Sequence, residues 1–222
     1  MLFFKKSRPA PVCLEIEKNK ANGDYKCGDV LTRLKSDFKN KCYICEYKEP
    51  ENINVEHFVP HKGDDDLKFS WDNLFWSCAH CNNTKLGNFD NLLNCTDADD
   101  KVEEKLKYKF NPFPGEKVKI ESLDDSEKTK QTKELLLKVY NGTTPLKMIE
   151  SSNLRNSLLN EIKVFQEILI DYFQNTNDAE DKKYLLYKIK GHLNAASNFT
   201  SFKRWIVKGN ERLFTEFKQY LT

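Results

Sequence analysis

The chain has 222 residues, which is enough for one globular body or two small ones. Hydrophobic residues make up 39% of it and charged residues 32%, a balance typical of a soluble protein with much exposed helix. The formal net charge of +2 is too small to identify a nucleic-acid-binding protein by itself. The apolar run in the N-terminal sequence MLFFKKSRPAPV is too short for a signal peptide or a membrane span, so we expect a cytoplasmic protein with no membrane partner.

Residues 1–40 are predicted to form an arm followed by a helix. Pro9 and Pro11 disfavour regular structure in the arm. Apolar side chains then recur at helical spacing, at Val30, Leu31, Leu34 and Phe38.

Three of the seven cysteines have no cysteine partner nearby in the sequence: Cys13, Cys27 and Cys95. None of them has a neighbour that suggests a lowered thiol pKa. A reducing cytoplasm also disfavours disulfides. We therefore expect three unpaired cysteines that act as small apolar side chains.

Residues 41–95 are predicted to contain short extended pieces. Ile53–Val55 and Asn73–Trp76 carry β-branched and aromatic residues, and the polar loop Lys62–Asp66 separates them. The three consecutive aspartates of this loop are expected to face water and not to bind metal, as runs of like charge usually do. Large aromatic side chains are expected to pack this small lobe: Phe69, Trp71 and Trp76.

Residues 96–127 are predicted to be a connection, because Asn111–Gly115 has turn chemistry and two prolines. Residues 128–222 are predicted to form an all-α bundle, and Asn141-Gly142 is expected to end its first helix. The clearest sign of helix is a stripe spaced by three and four residues: Leu154, Leu158, Ile162, Phe165, Leu169 and Tyr172.

Charge is distributed unevenly along the chain. From Lys182 to Thr222, nine basic residues are counted against two acidic ones, which gives a balance of +7. From Val55 to Asp100, three lysines are counted against nine acidic residues, which gives −6. We expect the first segment to present a basic surface and the second to repel a polyanion.

Four cysteines form two Cys-x-x-Cys pairs, Cys42 with Cys45 and Cys78 with Cys81. Each pair makes a tight turn that lets both sulfurs face one ion, and four thiolates suit tetrahedral zinc. Because sulfur fills every position, this zinc is predicted to be structural. His80, inside the second pair, is expected to be an exposed spacer.

The 32 residues between the pairs contain the residue types that phosphodiester hydrolysis needs. A base that is neutral near pH 7 activates water, and a divalent ion polarises the scissile phosphate. Histidine suits the first task, and hard oxygen ligands suit the second.

In this region the sequence resembles the zinc-stabilised HNH endonucleases of the ββα-metal superfamily. The order is Cys-x-x-Cys, Glu-His-x-x-Pro, Trp-x-Asn-Leu and Cys-x-x-Cys-Asn-x-x-Lys, between Lys41 and Gly87. The resemblance implies an α+β protein: a small ββα-metal lobe over residues 41–95, with its four-cysteine zinc site, joined to the C-terminal all-α bundle.

The resemblance also implies a role for each matched residue. His57 would be the general base, and Asn73 would hold the loop that orients it. Glu56 and Asn82 would supply oxygen ligands to a catalytic Mg²⁺ or Mn²⁺. Lys85 would contact a phosphate.

Two positions depart from the family's pattern. The third letter of the HNH signature is Asn82 instead of histidine, and the acid next to the base is Glu56 where aspartate is more usual. Both changes keep an oxygen donor, so they favour Mg²⁺ or Mn²⁺ over softer ions. His61 is left open between a contact with phosphate or metal and a solvated loop histidine.

A narrower resemblance is to PtuB-type HNH proteins of the Septu and retron anti-phage systems. It rests on Phe4-Lys-Lys-Ser-Arg-Pro9, on Val55-Glu-His-Phe-Val-Pro60 and on the long helical C-terminal region. It implies a nuclease effector that acts on nucleic acid, with DNA favoured over RNA, beside an ATPase partner subunit. A poorly binding, acidic active-site segment agrees with licensing by such a partner.

The main alternative is a non-catalytic zinc-finger module that binds nucleic acid or protein. In that hypothesis Glu56 and His57 are scaffold residues. A third hypothesis is an interaction protein with a degenerate nuclease lobe. The intact set of Glu56, His57, Asn73 and Asn82 argues against the third hypothesis.

Overall fold

The structure is a computed structural model, which describes residues 1–174 and 178–221. Over these ranges it is a mixed protein of helices and two separate two-stranded sheets, with a helical C-terminal part, so the predicted α+β class is confirmed. Residues 175–177 and 222, which belong to the predicted bundle, lie outside the described residues.

The N-terminal region contains two short helices, α1 (Val12–Lys18) and α2 (Gly28–Asp37). The second confirms the helix expected from the apolar spacing, and its Val30 and Leu34 are buried. Cys13 and Cys27 are joined by a disulfide bond between α1 and the residue before α2. The prediction that these two cysteines are unpaired is therefore wrong, because the turn between the helices brings together two thiols that are 14 residues apart. Cys95 is free and buried, as expected.

A β-hairpin and a helix form the compact unit that follows. β1 (Ile53–His57) pairs antiparallel with β2 (Leu74–Cys78), with His57 opposite Leu74 and Ile53 opposite Cys78. β-branched and aromatic side chains favour these extended segments. A short helix, α3 (Asp65–Lys68), interrupts the connecting loop, and α4 (Ala79–Lys85) follows β2 directly. We call β1, β2 and α4 the hairpin–helix unit.

The segment predicted as a connection contains regular structure. After the short helix α5 (Val102–Lys105), β3 (Leu106–Lys109) pairs antiparallel with β4 (Lys119–Ser122). The Asn111–Gly115 turn lies between these strands, not between two domains. Lysine-rich strands of four residues give a weak alternating pattern, which explains why the hairpin was not predicted.

Five helices form most of the C-terminal part: α6 (Glu127–Asn141), α7 (Pro145–Tyr172), α8 (Ala179–Leu193), α9 (Thr200–Lys208) and α10 (Glu211–Phe217). The first ends at Asn141-Gly142 as predicted, where Gly142 has a φ of 72°. Four of the six stripe residues in α7 are buried: Leu158, Ile162, Phe165 and Leu169. Within residues 1–174 and 178–221, none of the helices combines the length and the apolar character that crossing a bilayer requires.

The main apolar core runs through most of the described chain. It includes residues from the N-terminal arm, the hairpin–helix unit, the second hairpin and α6, α7 and α9. A second, smaller cluster lies among α7, α8, α9 and α10. The hairpin–helix unit therefore shares its core with the N-terminal region and with the helices.

The basic C-terminal segment is less exposed than the charge count suggests. Lys203 and Arg204 are buried, where Lys203 Nζ lies 2.6 Å from Glu161 Oε1 and Arg204 pairs with Glu103. Two of the nine basic residues are thus neutralised inside the protein and add nothing to the predicted basic surface.

A buried carboxylate links the first cysteine turn to α9. Glu46 follows Cys45, and its Oε2 atom accepts a hydrogen bond of 2.9 Å from the Ser201 backbone N–H in the first turn of α9. Its Oε1 atom accepts the Ser201 hydroxyl, and Lys41 Nζ lies 3.6 Å from Oε2. Burial by itself would raise the pKa of Glu46, but Lys41 and the Ser201 hydrogen bonds lower it to about 2.

We predict that Glu46→Gln lowers the free energy of unfolding by about 3 kcal/mol, because it leaves Lys41 buried without its countercharge. Since the folded-state pKa is depressed, the wild-type contribution is present above pH 4.5 and is lost as the pH falls towards 2. Urea unfolding at several pH values measures both effects. Glu49→Gln, at an exposed position of the same turn, serves as the control, and equal stability of Glu46→Gln and wild type would contradict the prediction.

Candidate active site

The four predicted zinc ligands lie together at one end of the hairpin–helix unit. Their sulfur atoms all lie within 4.8 Å of one another, and all four side chains are buried: Cys42, Cys45, Cys78 and Cys81. Among the described residues they are the only group of three or more histidine, cysteine or acidic side chains that meets this distance.

The spacing of the sulfurs fits tetrahedral zinc. A Zn–S bond of about 2.3 Å places neighbouring sulfurs about 3.8 Å apart, and Cys45 Sγ lies 3.9 Å from Cys78 Sγ. Burial raises the pKa of the Cys45 and Cys81 thiols. Burial also acts to raise the pKa of Cys42, but hydrogen bonds from the other three cysteines lower it. A bound cation would hold all four thiols as thiolates, so the donor set fits zinc and leaves no position for water.

His80 connects the second cysteine turn to the helices. Its Nε2 atom donates a hydrogen bond of 2.8 Å to the Val139 carbonyl in α6, and Nδ1 lies 2.7 Å from Glu150 Oε2 in α7. The residue is half-buried and is not one of the clustered ligands. The expectation of an exposed spacer was wrong, because two helices pack over the turn.

The hairpin–helix unit brings the predicted base and the predicted metal ligands to one open cleft of about 370 Å³, and Asn73 lies buried outside its lining. The residues that line it include Glu56 and His57 from the end of β1, Asn82 and Lys85 from α4, and His61 from the loop after β1. Residues that are 29 positions apart in the sequence meet here because α4 folds back across β1 directly after β2.

His57 has one ring nitrogen engaged. Its Nε2 atom lies 3.0 Å from the Lys68 carbonyl oxygen, which can only accept, so Nε2 carries the proton. In the neutral ring Nδ1 is then an unprotonated base. Burial lowers the pKa of His57, the hydrogen bond to Lys68 raises it, and His61, Lys85 and Lys26 lower it further; the net direction is down. The ring is thus neutral at neutral pH.

Asn73 closes the loop that runs from His57 to Lys68. Its side-chain Nδ2 donates to the carbonyls of Val59 and Leu67, at 2.8 and 3.0 Å. Its Oδ1 accepts the Val59 backbone N–H at 2.7 Å. These bonds use both N–H donors and the oxygen of the amide and fix both ends of the loop that supplies the Lys68 carbonyl.

Glu56 and Lys85 form a buried ion pair beside His57. The Glu56 carboxylate is 6% exposed, and Lys85 Nζ lies 2.8 Å from its Oε1 atom. The same ammonium donates to the His57 carbonyl at 3.2 Å, and the Tyr43 hydroxyl donates to Oε1 at 3.2 Å. Burial raises the pKa of Glu56, while Lys85 acts to lower it. The ammonium of Lys85 is engaged inside the protein, so the predicted phosphate contact would require it to leave this pair and stays a prediction.

The oxygen donors in the cleft fit a hard divalent ion. Glu56 Oε2 is buried and has no hydrogen-bond partner among the described residues. The amide of Asn82, which lines the same cleft, makes no side-chain hydrogen bond within residues 1–174 and 178–221. An unsatisfied buried carboxylate oxygen is costly unless a cation or water meets it. These two oxygens would be the protein ligands of Mg²⁺ or Mn²⁺, which fill their remaining positions with water and phosphate.

Two aromatic rings contact the imidazole of His57. The centroid of the His61 ring lies 4.7 Å away, and that of the Tyr25 ring lies 4.5 Å away. Tyr25 belongs to the loop between α1 and α2 and was not predicted to be near the site. No motif marks it, because its approach depends on the tertiary path of the N-terminal segment.

Residues 42–86 match the HNH endonuclease family. The matched segment contains both cysteine pairs, β1, β2, α4 and each predicted catalytic residue. An HNH domain with a four-cysteine site therefore occupies this part of the chain. No curated protein matches the chain.

The acidic balance of the HNH domain is partly neutralised by residues from outside it. Asp66 pairs with Lys18, and Asp72 pairs with Arg8. The charged residues that line the cleft are Lys62, Lys85 and Glu56, so the cleft itself is not acidic. The repulsion of a polyanion that the charge count predicts is therefore weaker at the cleft than in the sequence segment as a whole.

We predict one tightly bound zinc per chain and its loss in Cys78→Ser, which also unfolds much of the HNH domain because metal binding supplies folding free energy. Elemental analysis and native mass spectrometry measure the zinc, and circular dichroism follows the folding. Cys95→Ser is the matched control, because Cys95 is equally buried but lies outside the cluster. Full zinc content in Cys78→Ser would contradict the assignment.

Proposed function

We propose that this protein is a metal-dependent HNH endonuclease that hydrolyses phosphodiester bonds in nucleic acid. The observation that carries the proposal is His57, whose Nε2 is fixed on the Lys68 carbonyl while Nδ1 is left as a base in the cleft of Glu56 and Asn82. A neutral, oriented imidazole next to two hard oxygen donors suits the attack of water on a phosphate.

Five residues in and around the cleft have a role in this mechanism. His57 Nδ1 takes a proton from the attacking water, and the Lys68 carbonyl stabilises the charge that develops on the ring. Asn73 keeps that carbonyl in place through the loop it closes. A divalent ion held by Glu56 and Asn82 would supply Lewis acidity at the scissile phosphate. Cys42, Cys45, Cys78 and Cys81 would hold a zinc ion that ties the hairpin to α4, and with four sulfur ligands that ion would have no open position for the chemistry.

We further propose that the chain is the nuclease effector of an anti-phage defence system and that it acts on DNA beside an ATPase partner. The support is the likeness of Phe4–Pro9 and Val55–Pro60 to PtuB-type proteins, together with the long helical C-terminal part. The buried ion pair between Glu56 and Lys85 also agrees with a nuclease of low basal activity, because the Lys85 ammonium on Oε1 would oppose binding of a cation to Oε2 of the same carboxylate.

The alternative is a zinc-finger module without catalysis. It explains the four cysteines equally well, but it gives no reason for an oriented imidazole beside an unpartnered carboxylate oxygen. A test of His57 separates the two hypotheses, because only the nuclease needs its imidazole.

We predict that His57→Ala lowers the rate of Mg²⁺- or Mn²⁺-dependent nicking of supercoiled DNA by about two to four orders of magnitude, the usual worth of a general base. Because the pKa of His57 is lowered, the wild-type rate should rise with pH through a midpoint below 6.5 and stay level above it. Agarose gels at several pH values measure the rate.

The control for this experiment is His192→Gln, which changes a histidine on α8, outside the cleft. Both variants should keep the zinc content of the wild type. Equal nicking by wild type and His57→Ala would remove the catalytic assignment and favour the zinc-finger module.

We predict that the isolated chain nicks plasmid slowly and that an ATPase encoded by a neighbouring reading frame raises the rate by about tenfold or more. The comparison uses the same enzyme concentration with and without the ATPase and with a non-hydrolysable ATP analogue. Rapid cleavage by the pure chain at low metal concentration would contradict the licensing role while leaving the nuclease assignment intact.

A further inference from the structure

The cleft includes one aromatic side chain from outside the HNH domain. Tyr25 is half-buried and lines the cleft together with His57 and Asn82. The planes of the Tyr25 and His57 rings are inclined at 63°, with centroids 4.5 Å apart, which is an edge-to-face contact. In the proposed mechanism His57 Nδ1 must point towards the attacking water. A ring packed against the imidazole affects that orientation.

One hydrogen bond does not orient an imidazole completely. The bond from Nε2 to the Lys68 carbonyl fixes one atom of the ring, and the histidine side chain can still tilt about it, since its terminal torsion is broad. A rigid aromatic ring in contact with the imidazole restricts this tilt. The contact of the Tyr25 ring therefore bears directly on the orientation of the base.

The loop that carries Tyr25 has a fixed path. The disulfide between Cys13 and Cys27 closes it across α1 and α2. The Asp24 backbone N–H donates to Glu17 Oε2 at 3.0 Å. Gly23 lies against the Glu17 carbonyl so closely that a Cβ atom there would be 1.8 Å from the oxygen. Close packing on one side and a covalent bond on the other leave the tyrosine little freedom.

The N-terminal segment is also fastened to the strand opposite His57. Lys6 Nζ donates to the Leu74 carbonyl at 2.7 Å, and Leu74 is the register partner of His57. The Trp71 indole N–H donates to the Ser7 carbonyl at 3.0 Å. These hydrogen bonds fasten the N-terminal segment to the hairpin, and they thereby fix the position of Tyr25 relative to His57.

We infer that Tyr25 is a positioning residue for His57, and that the Cys13–Cys27 disulfide keeps its ring in place. The inference rests on the proposed nuclease function. It extends the working unit of the active site beyond residues 42–86 to the loop between α1 and α2.

The first test compares Tyr25→Phe with Tyr25→Ala in nicking of supercoiled plasmid by the full chain. Phenylalanine keeps the ring contact, so kcat should stay within about twofold of wild type, whereas alanine should lower kcat about tenfold or more. KM should change little in both variants, because Tyr25 acts through His57. Equal kcat for alanine and wild type, or equal losses for alanine and phenylalanine, would overturn the inference.

The second test is independent of activity. The ring current of Tyr25 should shift the His57 Cε1–H resonance in the proton NMR spectrum, and His57→Ala assigns that resonance. The shift should persist in Tyr25→Phe and disappear in Tyr25→Ala. An unchanged resonance in the alanine variant would show that the two rings do not meet in solution and would refute the positioning role.

The third test concerns the disulfide. Cys27 is the N-cap residue of α2, and serine is favourable at that position, so Cys27→Ser breaks the disulfide without weakening the start of the helix. Cys27→Ser should lower kcat, as Tyr25→Ala does, and should weaken the ring-current shift of the His57 resonance. Cys13→Ser should have the same two effects. Cys95→Ser, which leaves the bond intact, is the control. Wild-type values in both disulfide variants would overturn the role of the bond.

The three tests distinguish failure of the positioning role from failure of the proposed nuclease function. A wild-type chain that does not cleave, or His57→Ala that cleaves normally, contradicts the nuclease assignment. The NMR comparison then still decides whether Tyr25 orients His57. Normal cleavage by wild type together with an unchanged kcat in Tyr25→Ala would contradict the positioning role alone.

Discussion

The rest of the active site depends on the clustering of four buried sulfurs around one position. A two-stranded hairpin of five-residue strands is marginal by itself, and α4 is only seven residues long. The cysteine pairs precede β1 and flank the junction of β2 with α4, so one ion bound by the four sulfurs would tie all three elements together. The clustered sulfurs bring together the strand and the short helix from which Glu56 and Asn82 reach a common cleft.

The electrostatic potential around the cleft depends on individual ion pairs, and the net charge of the sequence segment does not describe it. Counting residues along the sequence suggests a repulsive acidic segment, yet several of its acids are met by lysines and arginines from other parts of the chain. At the centre, the ammonium of Lys85 lies against Glu56 and the His57 carbonyl. This one cation offsets the carboxylate and touches the residue that carries the base, so charge balance and geometry are coupled at that point.

Local signals in the sequence were sufficient for much of the HNH domain. The Cys-x-x-Cys spacing predicts the metal cluster, and short runs of β-branched and aromatic residues on either side of a polar loop predict β1 and β2. Helical spacing predicts α2 and α7. The features that escaped prediction depend on distant residues approaching each other. Disulfide pairing between Cys13 and Cys27 and the position of Tyr25 are set by how a turn folds, which no local pattern records. The β3–β4 hairpin escaped because its prolines and lysines are equally typical of a linker.

The carboxylate of Glu46 has a consequence for how such a chain can evolve. It is part of the first cysteine turn, yet it caps the first turn of α9, about 155 residues further along. A recombination event that exchanged the helical part for another one would leave this charge buried without its hydrogen bonds. We therefore expect the first cysteine turn and α9 to tolerate exchange only together, because a substitution on either side leaves a buried polar group of the other without its partner.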